Sequence, residues 1–297
     1  MIKDFFNKGN YNYEENISLK KYNTYRIDIL AKYMVFPKNA KELIELINFA
    51  RTNNIKYMIL GNGSNVIFNT TYYDGIIIKL DNFNNMTIKG NKVYAEAGCS
   101  LIKLAISTIN AGLSGLEFAC GIPGTVGASI SMNAGAYNLD ISNSLESISV
   151  LTPQNEIITL NKKNLEFSYR DSFLKRNPDY VVLSANFLLK EGNREEMLLQ
   201  MEERKKRRKD TQPLEYPSAG SVFRNPKDMF AGELIENLGL KGMKHNGAMI
   251  SDKHANFIVN TGNAKSEDIK YLIDYAYNKV KEKYNVEMIV EQEFVNW

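Results

Sequence analysis

The chain has 297 residues, 44% hydrophobic and 24% charged. That is enough for two or three domains and a core burying about 75% of the surface the unfolded chain exposes. Its 37 basic and 34 acidic residues leave a formal charge of +3, too balanced for a protein that binds nucleic acid over its whole surface. Two cysteines, Cys99 and Cys120, and two histidines, His245 and His254, exclude a disulfide framework and a Cys/His zinc site. A carboxylate metal site is left open by these counts, but no metal is expected. Scarce thiols suit a reducing compartment, the first residues lack a signal-type apolar run, and no run of eighteen uncharged apolar residues occurs. A cytoplasmic chain without a membrane span is therefore expected, and any redox chemistry must come from a bound organic cofactor.

In chain order, residues 1–22 are polar and aromatic without a period and read as a surface arm or short helix. Residues 40–53 carry Leu43, Ile44, Ile47 and Ala50 at helical spacing. Short apolar runs at 58–60, 66–68 and 76–80, separated by Gly, Asn and Asp, read as strands. Segments 86–89 and 93–97 form a strand pair about Gly90-Asn91, which supplies the positive φ of a tight hairpin. Ser100 caps a helix over 101–110. Strands follow at 148–151, 157–160 and 181–189, then a charge-laced helix over 194–209 ending in KKRRK. The remainder gives strands at 221–223, 248–250 and 257–259, a helix over 231–238, and a long helix over 266–284 with Glu267 and Asp268 in its first turn. A final strand covers 287–295. The class is α+β, with a larger part to about residue 192 and a smaller C-terminal part.

Two glycine-rich stretches carry candidate chemistry. Gly61-Asn62-Gly63-Ser64-Asn65 lies between two strands, and such spacing lets backbone N–H groups converge on an anion. It is not a dinucleotide fingerprint, because Val66 replaces the third glycine and a strand follows; a plain Gly/Asn hairpin turn is the alternative. Residues 114–137 hold five glycines and a single charge, Glu117. Gly121-Ile122-Pro123-Gly124, then Gly127-Ala128, is small-residue backbone suited to close approach by a flat ring, or to a crowded domain junction.

These stretches, with Asn23-Thr24, LGNGSN (60–65), SGLEFACGIPGTVGAS, NAGAY, SYRDS (168–172), SAGSVFRNP (218–226), AGELIENLGLKG and HANFIVN (254–260), resemble in order the UDP-N-acetylenolpyruvoylglucosamine reductases, or UDP-N-acetylmuramate dehydrogenases. The likeness runs from about residue 20 to the C-terminus. It implies a two-subdomain FAD-binding region of the vanillyl-alcohol-oxidase (PCMH) type over 23–192, with a break near residue 84. A C-terminal α+β substrate domain then spans 193–297, after an arm over 1–22. On that reading Gly61, Asn62, Gly63, Ser64, Asn65, Gly121, Ile122, Pro123, Gly124, Gly127 and Ala128 line FAD. Neither histidine lies in the FAD region, so FAD is expected to be held non-covalently.

The implied reaction delivers hydride to an enolpyruvyl methylene, leaving enolate character that needs stabilisation and then a proton. Arg170 matches the family's permanent cation, Ser221 its proton donor and Glu291 its supporting carboxylate. The family's last strand reads Glu, a β-branched residue, then a basic one. Here Gln292 and Glu293 follow Glu291, and period alone does not separate Glu291 from Glu293. For Arg170 the plain alternative is an ion pair with Asp171; for Ser221 it is an ordinary strand serine. Lys209, twelve residues before Ser221, and Asn225 match substrate diphosphate contacts, while the other cations of KKRRK read as surface. Lys253 and Asn256 belong to a family stretch without an assigned role, and His254 reads as a structural histidine. About fifty residues separate Arg170 from Ser221, which resembles the shorter, type II subclass.

The expected partners are NADPH as reductant and a UDP-sugar as substrate, acting on a monomer without nucleic acid. A UDP-sugar or flavin-binding protein without turnover, and an oxidase of the same fold, are the competing readings.

Overall fold

The structure, a computed structural model, describes residues 1–296; Trp297, the end of the last expected segment, lies outside the described residues. Helices and mostly antiparallel sheets mix irregularly, as the expected α+β class requires. The chain divides into two compact units. One comprises Met1–Glu15, Lys32–Gly61 and Asp74–Lys205; the other comprises Asn16–Ala31, Asn62–Tyr73 and Lys206–Trp297.

The first unit is built on a five-stranded antiparallel sheet. Its order is Ile157–Asn161, Leu145–Leu151, Val181–Leu188, Lys92–Glu96 and Met86–Lys89. The last two strands form the hairpin expected from Gly90, whose φ is +58°, with Lys89 opposite Lys92. Two register shifts between Leu145–Leu151 and Val181–Leu188 bend the sheet locally. The helix Ala40–Thr52 starts where Asn39 accepts the Glu42 N–H at 3.0 Å, and it buries Leu43, Leu46, Ile47 and Ala50. Each buried Leu or Ile contributes about 1.5–3 kcal/mol. The helix Leu101–Asn110 is capped by Ser100 as the sequence indicated.

The beginning of the chain is a short helix, Ile2–Lys8, but it is not merely superficial. Phe6 is fully buried, with ring centroids 4.8 Å from Tyr13 and 5.4 Å from Tyr33, while Phe5 stacks on Phe49 at 3.9 Å. Aromatic rings bury by edge and face contacts that need no helical stripe, so the sequence period is silent there.

In the second unit the helix Ser266–Tyr284 buries Ile269, Leu272, Ile273, Ala276 and Val280, the stripe legible in the sequence. A three-stranded sheet orders Lys244–His245, Ala248–Ile250 and Ile258–Asn260. Val66–Phe68 pairs in parallel with Glu293–Val295. The strand expected at 221–223 is reduced to isolated bridges, Ser221 with Phe257 and Phe223 with Val290. Regular pairing in the last segment begins only at Glu293. Among the described residues no helix is long and apolar enough to cross a membrane.

His254 is half-buried, and its Nδ1 accepts the Asn256 N–H at 3.2 Å, a structural role. Burial holds its pKa below the ordinary value, with Lys241 acting in the same direction and Glu236 opposing. The unfolded chain therefore takes up the proton first as pH falls, and stability drops below pH about 6.5. Urea titrations should show a slope of at most about 1.4 kcal/mol per pH unit in that window from this group. The slope should shrink in His254→Asn, which keeps an acceptor; an unchanged slope would assign the effect elsewhere.

Candidate functional site

Within the first unit the two glycine stretches meet. A Cβ at Gly61 would stand 3.0 Å from Thr125 Oγ1 and 3.1 Å from the Ala128 Cβ; one at Gly127 would stand 2.9 Å from the Ala97 Cβ. The short helix Val126–Ser131 is fixed by Val126 N–H to Cys99 O and Gly127 N–H to Ala97 O, both 2.9 Å. Ahead of it Gly124 N–H turns back on Ile122 O at 2.9 Å around Pro123, and Gly121 ends a 3₁₀ turn, Glu117–Gly121. The short helix buries Val126 and Ile130, a single i,i+4 pair too brief to show as a period. The sequence also passed over Lys79. It is 4% exposed and donates from Nζ to Gly61 O at 2.6 Å. The signal available was a lysine interrupting the apolar run Ile76–Leu80.

The rest of the first loop, Asn62 to Asn65, belongs to the second unit. Gly63 has φ +62°, and a Cβ there would lie 2.1 Å from Tyr22 O. Among the described residues the N–H groups of Gly63, Ser64 and Asn65 enter no hydrogen bond. Successive N–H donors without protein acceptors on a turn are the chemistry of an anion cradle. The loop therefore fits the diphosphate of the expected FAD. Gly63→Ala should destabilise the fold by at least about 1 kcal/mol from the left-handed φ alone and weaken FAD retention. Denaturant unfolding and fluorometric FAD titration check both; unchanged FAD affinity would remove the loop from the cofactor site.

SYRDS is anchored on NAGAY and the residues before it. Asn133 Nδ2 donates to Ser168 O at 2.9 Å and Ser172 Oγ to Ser131 O at 2.7 Å, while Ser168 and Asp171 exchange backbone hydrogen bonds of 3.1 and 3.2 Å. Arg170 sits at the turn with φ +56°, a conformation that costs a non-glycine residue about 1–2 kcal/mol. Its guanidinium donates to Gly135 O at 2.6 Å and lies 5.2 Å from the Tyr169 ring centroid. Asp171 pairs with Arg176. A strained turn that carries a cation is the kind of outlier found at functional sites. Arg170→Gly should be more stable than Arg170→Ala by about 1 kcal/mol, since only glycine relieves the strain, while both lose turnover. Equal stabilities in thermal unfolding would contradict the strain.

In the second unit Glu291 N–H donates to Val222 O at 2.7 Å, and Arg224 N–H to Ile289 O at 2.8 Å. Glu291 is thus held against the residue that follows Ser221. Glu293 instead pairs with Val66 and donates its N–H to Asn65 O at 2.8 Å. Asn65 Nδ2 donates to Glu291 O at 3.1 Å, so its side chain serves this segment. Asn256, buried, clasps Phe223 by Oδ1 to its N–H at 2.9 Å and Nδ2 to its carbonyl at 2.8 Å. That is the role which the sequence left unassigned. Asn225 Oδ1 accepts the Ala231 N–H at 3.1 Å, which orients the side chain. Lys209 is exposed on the helix Arg194–Thr211, and its carbonyl accepts Lys253 Nζ at 2.6 Å. Arg208, which reads as surface, is half-buried and bonds Gln212 Oε1 at 3.0 Å. Cys120, beside the second glycine stretch, has its thiol pushed up to about 11 by burial, which makes it a poor nucleophile at neutral pH.

Comparison with known proteins matches two regions of the chain. Residues 212–295 match the model of the UDP-N-acetylenolpyruvoylglucosamine reductase C-terminal domain, and residues 31–161 match that of an FAD binding domain. The UDP-N-acetylenolpyruvoylglucosamine reductase of Clostridium novyi (strain NT) is 43% identical over 282 residues, 95% of this chain and 92% of its own length. That of Caldicellulosiruptor bescii is 45% identical over 279 residues, 93% of this chain and 88% of its own. The crystal structure of the Thermus caldophilus reductase aligns with a TM-score of 0.82 at 33% identity, covering 96% of this chain and 99% of that one.

Proposed function

The chain belongs to the UDP-N-acetylenolpyruvoylglucosamine reductase family, FAD-dependent oxidoreductases of peptidoglycan synthesis that reduce an enolpyruvyl UDP-sugar, and we propose that Ser221 supplies the proton and NADPH the reducing equivalents. Bound FAD would supply the hydride chemistry, relaying two electrons from NADPH to the terminal methylene of UDP-N-acetylglucosamine enolpyruvate. The chain's own residues would hold the substrate and give the proton to the carbon beside its carboxylate, so that UDP-N-acetylmuramate and NADP⁺ result.

A few residues of the chain divide the work. Arg170 stabilises the enolate charge as a cation that does not deprotonate. A serine hydroxyl is a weak acid, suited to a strongly basic carbanion, and Ser221 holds that proton on Oγ. Glu291, rather than Glu293, supports the same centre; the observation that carries this is the 2.7 Å bond from Glu291 N–H to Val222 O, next to Ser221. Lys209 and Asn225 hold the substrate diphosphate, Asn225 through the Nδ2 that its helix-capping Oδ1 leaves as donor. FAD is held non-covalently by Gly61 to Asn65, Gly121 to Gly124, Gly127 and Ala128, within a cofactor domain over 23–192, with substrate taken by 193–297. The enzyme acts as a cytoplasmic monomer.

The test is Ser221→Ala under anaerobic conditions. NADPH should still bleach the flavin at close to the wild-type rate, while reoxidation by the enolpyruvyl substrate falls by about 10²–10⁴-fold, the usual weight of a general acid. Wild-type rates in both half-reactions would show that another group gives the proton.

A further inference from the structure

Gln292 stands between Glu291 and Glu293, is 3% exposed, and uses its whole amide. Its Oε1 accepts the Tyr25 hydroxyl at 3.0 Å, and its Nε2 donates to Ala219 O at 3.2 Å and Gly220 O at 3.3 Å. Those two carbonyls belong to the residues immediately before Ser221, and Gly220 has φ +76°. The direction of the Ser221 side chain follows from the Gly220–Ser221 peptide plane, which a left-handed glycine leaves soft. Among the described residues Ser221 lies outside any named strand and pairs through an isolated bridge to Phe257. Tyr25 is itself fixed: it is fully buried, and its carbonyl accepts Asn260 Nδ2 at 2.8 Å.

We infer that the Tyr25–Gln292 pair positions the Ser221 hydroxyl for proton delivery, by fixing the Ala219–Gly220 carbonyls from the strand segment that carries Glu291. The inference rests on the reading of Ser221 as proton donor. Gln292 touches no reacting group in it; it acts through the turn. The amide is required because the contact needs two donors and one acceptor at once. Leucine has similar bulk and neither function; glutamate has acceptors only and brings a charge against two carbonyls.

The experiment uses the FAD-loaded enzyme, with anaerobic stopped-flow of each half-reaction for Gln292→Leu, Tyr25→Phe, Ser221→Ala and the Ser221→Ala/Gln292→Leu double variant. Gln292→Leu should be reduced by NADPH within about twofold of wild type and bind substrate equally well, yet be reoxidised by it about 10- to 100-fold more slowly, the size expected of a misplaced group. Tyr25→Phe should show the same split to a smaller degree, and it carries the test if Gln292→Leu does not fold. The double variant should be no slower than Ser221→Ala, because a residue that acts through Ser221 has nothing left to position. A double variant slowed further by the full Gln292→Leu factor overturns the inference. So does normal reoxidation in Gln292→Leu and Tyr25→Phe while Ser221→Ala collapses. Normal reoxidation in Ser221→Ala overturns the proton-donor reading itself, and this inference with it.

Discussion

The site in the second unit depends on backbone pairing around residues 291–293. Three segments far apart in sequence are tied there by Glu291 N–H to Val222 O, Glu293 N–H to Asn65 O, and Asn65 Nδ2 to Glu291 O. A buried backbone group left without a partner costs about 1–3 kcal/mol. Register is therefore strongly specified, and with it the residue that lies beside Ser221. A slip by one residue would bring Gln292 outward and take its amide from Tyr25. Side-chain chemistry is thus set by hydrogen bonds in which the reacting groups take no part.

The first unit uses a different means, the absence of side chains. Gly61 and Gly127 stand where a Cβ would meet Thr125, Ala128 or Ala97. The loop and the short helix approach one another because nothing projects between them. Arg170 is the converse. A position suited to glycine is occupied by a large cation, and the cost of φ +56° is offset by anchoring on both sides of the turn, through Asn133 and Ser172. Lys79, itself buried, occupies the Gly61 carbonyl from within the same unit.

Periodic elements were legible and aperiodic ones were not. The stripes of Ala40–Thr52 and Ser266–Tyr284, the Ser100 cap and the Gly90 hairpin follow from spacing alone. Phe6 was missed because its burial depends on rings distant in sequence, and Val126–Ser131 because one apolar pair, Val126 and Ile130, is too short a run to show a period. For the site, the motifs marked Ser221, Arg170 and the glycines, but period left Glu291 and Glu293 equivalent. Only pairing across the chain distinguishes their surroundings. The roles of Asn256 and Gln292 were not legible, since a buried amide looks in sequence like any polar loop residue.

The amides around Ser221 have a common physical reason. A serine hydroxyl is a weak acid and exerts little attraction on its surroundings, so it cannot organise its own geometry as a carboxylate or an imidazolium can. Neutral amides, Asn65, Asn256, Asn260 and Gln292, do so through directed bonds that offer both donor and acceptor. None of these amides titrates, so their own donors and acceptors do not change with pH. Ion pairs in the same places would have brought long-range fields onto the Ser221 hydroxyl. If Ser221 gives the proton as proposed, a donor with almost no acidity of its own is best served by surroundings that fix direction and add no charge.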